Sequence, residues 1–175
     1  MALRKVLHDG DPLLRKRSRE IEEITERIRT LAEDMWETMY DANGVGLAAP
    51  QVGVLRRLVV LDVTEPEGED EESGEGAERK PEPEPVKYLL INPEIVEVSE
   101  EKVKAKEGCL SVPGKVGIVE RPARVKVRAM GLDGGFFEVT GEGMLAKALQ
   151  HEIDHLEGVL YTDVAESVEE TEASE

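Results

Sequence analysis

Two of the three histidines in this chain lie four residues apart, at His151 and His155, with Glu152 next to the first. Residues four apart on an α-helix project from the same face, so both imidazoles can bind one metal ion. The glutamate then lies beside an open coordination position, where it can act as a base. Polar helices also carry this five-residue pattern by chance, but two of three histidines at this spacing favour a metal site.

A hydrolytic metal site usually has three protein ligands and leaves one position for water. The zinc endopeptidase pattern that extends this motif requires a histidine at position 161, which is Tyr161 here. Only twenty residues follow His155, most of them in an acidic tail, so we expect the third ligand upstream. Cys109 is the only cysteine and lies at a glycine-flanked bend. We therefore interpret it as a metal ligand and not as a buried neutral thiol.

Apolar periodicity predicts two helices that position these residues. Residues 21–40 carry apolar side chains at three- and four-residue steps, which indicates an amphipathic helix packed on a core. Residues 142–157 form the second predicted helix, which carries both histidines and ends at a glycine. Met144 and Ala148 share the face of the histidines and would line an apolar pocket, although a place in the core is equally open. Asp154 could orient a ligand histidine, but a solvated carboxylate is the commoner case at such a helix position and is what we expect.

The other apolar segments predict strands. Residues 57–63 are rich in β-branched residues and follow an irregular loop over 41–53 that contains glycine and proline. Further strands are predicted over 87–92, 94–107, 124–130 and 136–140. This order predicts an α+β fold, with mixed, mainly antiparallel sheets around the helix that carries the histidines.

Charge and length limit the class of protein. The 175 residues suit one domain, and the formal net charge is −17. Residues 65–85 carry a net −8 and the last thirteen residues −6, which leaves −3 for the rest. We expect one catalytic domain over 1–163, a disordered acidic insertion over 65–85 and a mobile acidic tail over 164–175.

The lengths of the apolar runs, the single cysteine and the net charge exclude several classes of protein. The chain has no apolar run long enough for a bilayer span or a secretory signal. A single cysteine cannot form an intramolecular disulfide. The acidity argues against binding to nucleic acid or to an anionic membrane. We therefore expect a soluble cytoplasmic protein, with a monomer as the simplest state.

Three segments of the sequence resemble the motifs of the peptide deformylase family, in the same order and at similar separations. They are GVGLAAPQVG at 44–53, EGCLSVPG at 107–114 and QHEIDHLEG at 150–158. The resemblance extends from about Val6 to Asp163. It implies a metal-dependent hydrolase that removes the formyl group from the initiator methionine of nascent polypeptides and releases formate. It also implies Fe²⁺ as the cellular metal, with Ni²⁺, Co²⁺ or Zn²⁺ as substitutes.

The resemblance also implies a role for each matched residue. Cys109, His151 and His155 match the metal ligands, and Glu152 matches the general acid/base. The Gln51 side chain and the Leu110 backbone N–H match the donors that hold the formyl oxygen. The substrate-binding positions would be Gly44, Val45, Gly46, Glu107, Met144 and Ala148.

Other functions remain open at this point. A zinc endopeptidase or another metal-dependent amidase would use the same histidine pair, and a structural metal site would need a fourth ligand, for which only His8 is spare. Some members of the family dock on the ribosome through a basic C-terminal helix. The tail here has no basic residue, which argues against that route and leaves only a transient ribosome contact.

Overall fold

The computed structural model of the protein describes residues 2–64 and 86–171, so the predicted insertion at 65–85 lies outside the described residues. Helix α1 (Glu26–Asp41) begins after Thr25, whose side-chain oxygen accepts a hydrogen bond from the Ile28 N–H. The sequence predicted this helix from residue 21. Ile21 is instead buried in non-helical chain, because the Asn92 side chain bonds both its N–H and its carbonyl.

Two antiparallel sheets form the body of the fold. The larger has the order β1-β2-β3-β6-β7 and consists of β1 (Gly46–Ala48), β2 (Leu58–Asp62), β3 (Lys87–Val98), β6 (Arg124–Met130) and β7 (Phe136–Glu142). The smaller has the order β4-β5-β8 and consists of β4 (Lys102–Cys109), β5 (Val112–Pro122) and β8 (Ser167–Glu170). The α+β class and the antiparallel pairing agree with the sequence prediction.

Three features of the smaller sheet differ from the prediction. The single strand expected over 94–107 is two strands, because the chain turns at Ser99 and passes from one sheet to the other. The segment that forms β5 was not predicted as a strand. The acidic tail was expected to be mobile, yet Ser167–Glu170 pairs with β5, which places Glu170 opposite Lys115.

The core has two apolar layers, one on each face of the larger sheet. The first four residues of strand β2 are buried, and its alternate residues face opposite layers. Val59 and Leu61 pack with helix α2 (Gly143–Leu156), whereas Leu58 and Val60 pack with α1. The larger sheet is therefore covered by one helix on each face, α2 on one side and α1 on the other. Among the helices of the described ranges, none combines the length and apolar character that a bilayer span requires.

Candidate active site

The structure brings the three predicted metal ligands together. Cys109 ends β4, and both histidines project from α2. The Cys109 Sγ lies 3.3 Å from the Nε2 of His155, which lies 3.3 Å from the Nε2 of His151. Bonds of about 2.0–2.3 Å at tetrahedral angles would separate such donor atoms by about 3.3–3.6 Å. Two of the three separations match this range, and all three donor atoms lie within 4.8 Å of one another, so the set can hold one ion and leave a fourth position for water or substrate.

Tyr161 occupies the position at which the zinc endopeptidase pattern needs a histidine, but it is not one of the three clustered donors. It is the first residue of the short helix α3 (Tyr161–Val164), and its ring stacks on that of His151 at 6.0 Å between centroids. The tyrosine thus packs behind a ligand, while the third donor comes from β4.

The two histidines are supported differently. The His151 Nδ1 lies 2.8 Å from a carboxylate oxygen of Glu107, a contact that fixes the ring with its Nε2 toward the ligand cluster. The His155 Nδ1 is buried and has no hydrogen-bond partner among residues 2–64 and 86–171. The pKa of His155 lies well below its usual range. Burial is the largest cause, and the charge of the nearby His151 is the second. The low pKa favours the neutral imidazole that metals bind.

An arginine that the sequence reasoning missed holds Glu107 in place. Arg121 on β5 donates to both Glu107 oxygens, at 2.6 and 2.9 Å, and also to Asp154 at 2.9 Å. Burial alone would raise the pKa of Glu107, but its hydrogen bonds with His151 and Arg121 lower it to about 2. An arginine on the buried side of an alternating strand indicates a buried carboxylate partner, but β5 itself was not predicted.

Two sequence predictions change with this network. Glu107 lines the cavity as expected. Its carboxylate is already bonded to Arg121 and His151, however, so its side chain orients the predicted metal ligand His151 and does not bind substrate directly. Asp154 was expected to be solvated. It joins the network through Arg121 instead, because β5 packs close enough to α2 for one guanidinium to reach both carboxylates.

Gln51 is buried at the site and is not a solvated turn residue. Its Oε1 accepts from the Ala48 N–H at 2.9 Å, and its Nε2 donates to the Ser111 hydroxyl at 3.1 Å and lies 3.5 Å from the Cys109 Sγ. These contacts fix the amide with its N–H groups toward the ligand cluster.

The N-terminal segment contacts the same two loops. The Leu7 N–H donates to the Gln51 carbonyl at 2.7 Å, and the Asp9 N–H donates to the Ser111 carbonyl at 2.6 Å. No pattern of residue types indicates these contacts, because backbone groups make them.

Glu152 lies beside the ligands, with one carboxylate oxygen 4.0 Å from the His151 Nε2. Its other oxygen is buried without a hydrogen-bond partner within the described ranges. Burial raises the pKa of Glu152 to about 7. Gly46 allows this packing, because a Cβ there would lie 2.8 Å from both a Glu152 oxygen and a Leu61 methyl carbon.

A cavity of about 340 Å³ contains eleven of the twelve predicted site residues, and His155 lies beneath it. Its floor consists of the buried Glu107, His151 and Glu152 and the partly exposed Cys109, with the buried His155 directly below them. Its rim consists of the exposed Val45 and Met144 and the partly exposed Lys147. Asn43, Gly108 and Lys147 also line the cavity and were not predicted. The apolar periodicity that indicates Met144 and Ala148 carries no signal for Lys147 between them.

The sequence profile of the Polypeptide deformylase family matches residues 3–171. The chain belongs to the peptide deformylase family. A peptide deformylase of Agathobacter rectalis is 51% identical over 95% of this chain and 92% of its own length. The peptide deformylase of Ehrlichia chaffeensis in complex with actinonin has a TM-score of 0.81 at 40% identity, and covers 95% of this chain and 91% of that one.

The structure of another peptide deformylase contains a bound peptide. The class I type b peptide deformylase of Acinetobacter baumannii, with Met-Ala-Ser bound, has a TM-score of 0.78 at 32% identity, covering 93% of this chain and 98% of that one. Peptide deformylases remove N-formyl groups from nascent polypeptides and depend on a metal. The cluster of Cys109, His151 and His155 is a metal-capable group of the kind this activity needs.

Proposed function

We propose that this deformylase binds its metal through Cys109, His151 and His155, and that Fe²⁺ is the ion in the cell. The convergence of these donors with Glu152 and Gln51 around one cavity, in a chain of this family, carries the proposal. When bound, a divalent ion lowers the pKa of a coordinated water and polarises a carbonyl oxygen. One thiolate and two imidazoles suit several ions, so Ni²⁺, Co²⁺ and Zn²⁺ should substitute.

Glu152 would move the protons of the reaction. Its carboxylate takes a proton from the attacking water and delivers it to the methionine nitrogen as the bond between formyl carbon and nitrogen breaks. Formate and a free amine are the products. The burial of Glu152 supports this role, because a carboxyl whose affinity for protons is raised can both accept and return one near neutral pH.

Two N–H donors would stabilise the negative charge that develops on the formyl oxygen. One is the side-chain amide of Gln51, whose Nε2 donates to the Ser111 hydroxyl and, at 3.5 Å, to the Cys109 Sγ, and would turn the second of these N–H groups to the formyl oxygen. The other is the backbone N–H of Leu110, next to Cys109. Because Ala48 and Ser111 already fix the amide, little reorganisation is needed during the reaction.

The substrate would lie along β1. This strand ends the larger sheet, so one of its edges is open to an extended peptide near Gly44, Val45 and Gly46. Met144 and Ala148 offer an apolar surface for the methionine side chain. The Met-Ala-Ser bound to the Acinetobacter baumannii relative supports a peptide of this kind as the ligand.

The wider predictions stand as proposals. We infer a single catalytic domain over residues 1–163, and the pairing of Ser167–Glu170 with β5 extends its smaller sheet into the acidic tail. Action on nascent chains agrees with a cytoplasmic monomer that contacts the ribosome only transiently.

Formate release from a formyl-Met-Ala-Ser peptide tests the proposed activity. The wild-type protein, loaded with Fe²⁺ without oxygen or with Ni²⁺, should release formate. The Glu152→Gln variant should be about 10²- to 10⁴-fold slower, because the proton carrier is lost while the shape is kept. Metal content measured per chain should not change. Glu97→Gln, an exposed change on β3, is the matched control and should retain full activity.

Two results would contradict the proposal. The first is wild-type protein that holds one metal per chain and releases no formate. The second is cleavage of internal peptide bonds, which would favour the endopeptidase alternative. For the metal, an iron form that loses activity in air no faster than a nickel form would count against Fe²⁺ as an oxidation-sensitive cofactor.

A further inference from the structure

Lys147 places a positive charge at the rim of the cavity. It is the only lysine or arginine among the described residues that line the cavity. It follows Met144 by three residues and precedes His151 by four on α2, so all three share a helix face. Its ammonium donates to the backbone carbonyl of Lys106 at 3.0 Å.

This charge has no counterpart in the part of the chain that the structure describes. None of the ion pairs found there within 4.0 Å includes Lys147. The two acidic residues that line the cavity are both buried, and Glu107 is already paired with Arg121. A peptide that enters the cavity therefore meets one cation that no acidic side chain within residues 2–64 and 86–171 neutralises.

The position of Lys147 indicates which substrate residue it meets, and this step rests on the proposed function. Successive side chains of an extended peptide point to opposite sides. If the methionine side chain packs on Met144 and Ala148, the second side chain points away from α2. The third side chain returns to the same wall, about 6.6 Å further along the peptide. Lys147 lies on that wall, and its side chain is long enough to reach the third side chain of the peptide.

We propose that Lys147 makes the enzyme favour formylated peptides with Asp or Glu as the third residue. An exposed pair of opposite charges has a modest effect, so the acidic peptide should react about two- to fivefold faster at low substrate than one with lysine there. The preference should shrink in about 0.5 M salt, because screening acts strongly on exposed charges.

The test compares kcat/KM for formyl-Met-Ala-Asp and formyl-Met-Ala-Lys, both with amidated C-termini so that no terminal carboxylate competes. The ratio of the two values should be about two to five for the wild type, near one for Lys147→Met and inverted for Lys147→Glu. Peptides with the charge at the second residue should show a smaller ratio. Lys102→Glu changes the net charge equally at the far, exposed end of β4, and should leave the ratio as in the wild type.

Three results would overturn the inference. An unchanged ratio in Lys147→Glu would show that the charge is not read. An equal loss for all peptides would mean that the lysine contacts substrate backbone or only shapes the rim. A shift in Lys102→Glu as large as that in Lys147→Glu would assign the effect to net charge. Absence of formate from every peptide, including formyl-Met-Ala-Ser, is a different result and overturns the proposed function itself.

Discussion

The floor and the rim of the cavity are built on opposite principles. On the floor, Glu107, His151 and Glu152 are at most 7% exposed, and the first two are hydrogen-bonded to each other. On the rim, Val45 and Met144 are about half exposed, at 49% and 51%. The chemical step needs atoms held within fractions of an ångström, whereas a site for many nascent chains benefits from side chains that can move. The contrast indicates that reaction and substrate choice depend on different residues.

Arg121→Met should have the largest effect, because it breaks the support of the floor. It would leave the Glu107 carboxylate buried without its cation, which typically costs about 3–5 kcal/mol of stability. His151 would also lose its fixed partner, and metal affinity should fall about 10- to 100-fold. Denaturant unfolding and competition with a chelator measure the two effects.

The matched control is Arg124→Met. Arg124 is on the neighbouring strand β6, is 61% exposed and lies 3.9 Å from Glu142, so its loss should cost no more than about 1 kcal/mol. Unchanged metal affinity in Arg121→Met would mean that the floor does not depend on this arginine. Normal kcat at saturating metal would assign Arg121 to positioning and not to the reaction.

Gln51→Ala should have the next largest effect, on the rate alone. The loss of one donor to a developing oxyanion typically costs about 2.7–4 kcal/mol, or 10²- to 10³-fold in kcat. Metal content should stay at the wild-type level, since Gln51 is not a ligand. Ser111→Ala offers a graded control. It removes only the hydrogen bond from Gln51 to the Ser111 hydroxyl, and Gln51 keeps its contact with the Ala48 N–H. The activation free energy should therefore rise by only about 0.5–1.5 kcal/mol. Equal effects of the two changes would mean that Gln51 acts through Ser111.

The sequence predicted the floor better than its support, for a physical reason. His151, Glu152 and His155 are neighbours on one helix, so their spacing predicts their geometry. Arg121 and Glu107 meet only because β4 and β5 pair, and nothing local in the sequence specifies that register. The contacts of Leu7 and Asp9 use backbone groups, which have no signature in residue type.

The fold shows the same division between local and non-local information. The apolar pattern predicted α2 to within a residue at each end, because periodicity and Gly158 are local signals. It failed for β8, where acidic composition indicated a mobile tail. Pairing with the open edge of β5 provides hydrogen-bond partners for the backbone groups of Ser167–Glu170. Amino-acid composition does not show that a strand edge is available to pair with.

Met144→Ala should have the smallest effect and would sharpen the contrast between floor and rim. Because half of this side chain is already exposed, its truncation removes little buried area, and kcat/KM for formyl-Met peptides should fall by only about two- to fivefold. The fall should appear in KM, since the floor is untouched, and tolerance of bulkier first residues should increase. Val96→Ala on β3, a similarly exposed apolar truncation away from the cavity, should leave both constants unchanged. A large fall in kcat for Met144→Ala would break the separation, because it would mean that the rim helps to hold the reacting groups.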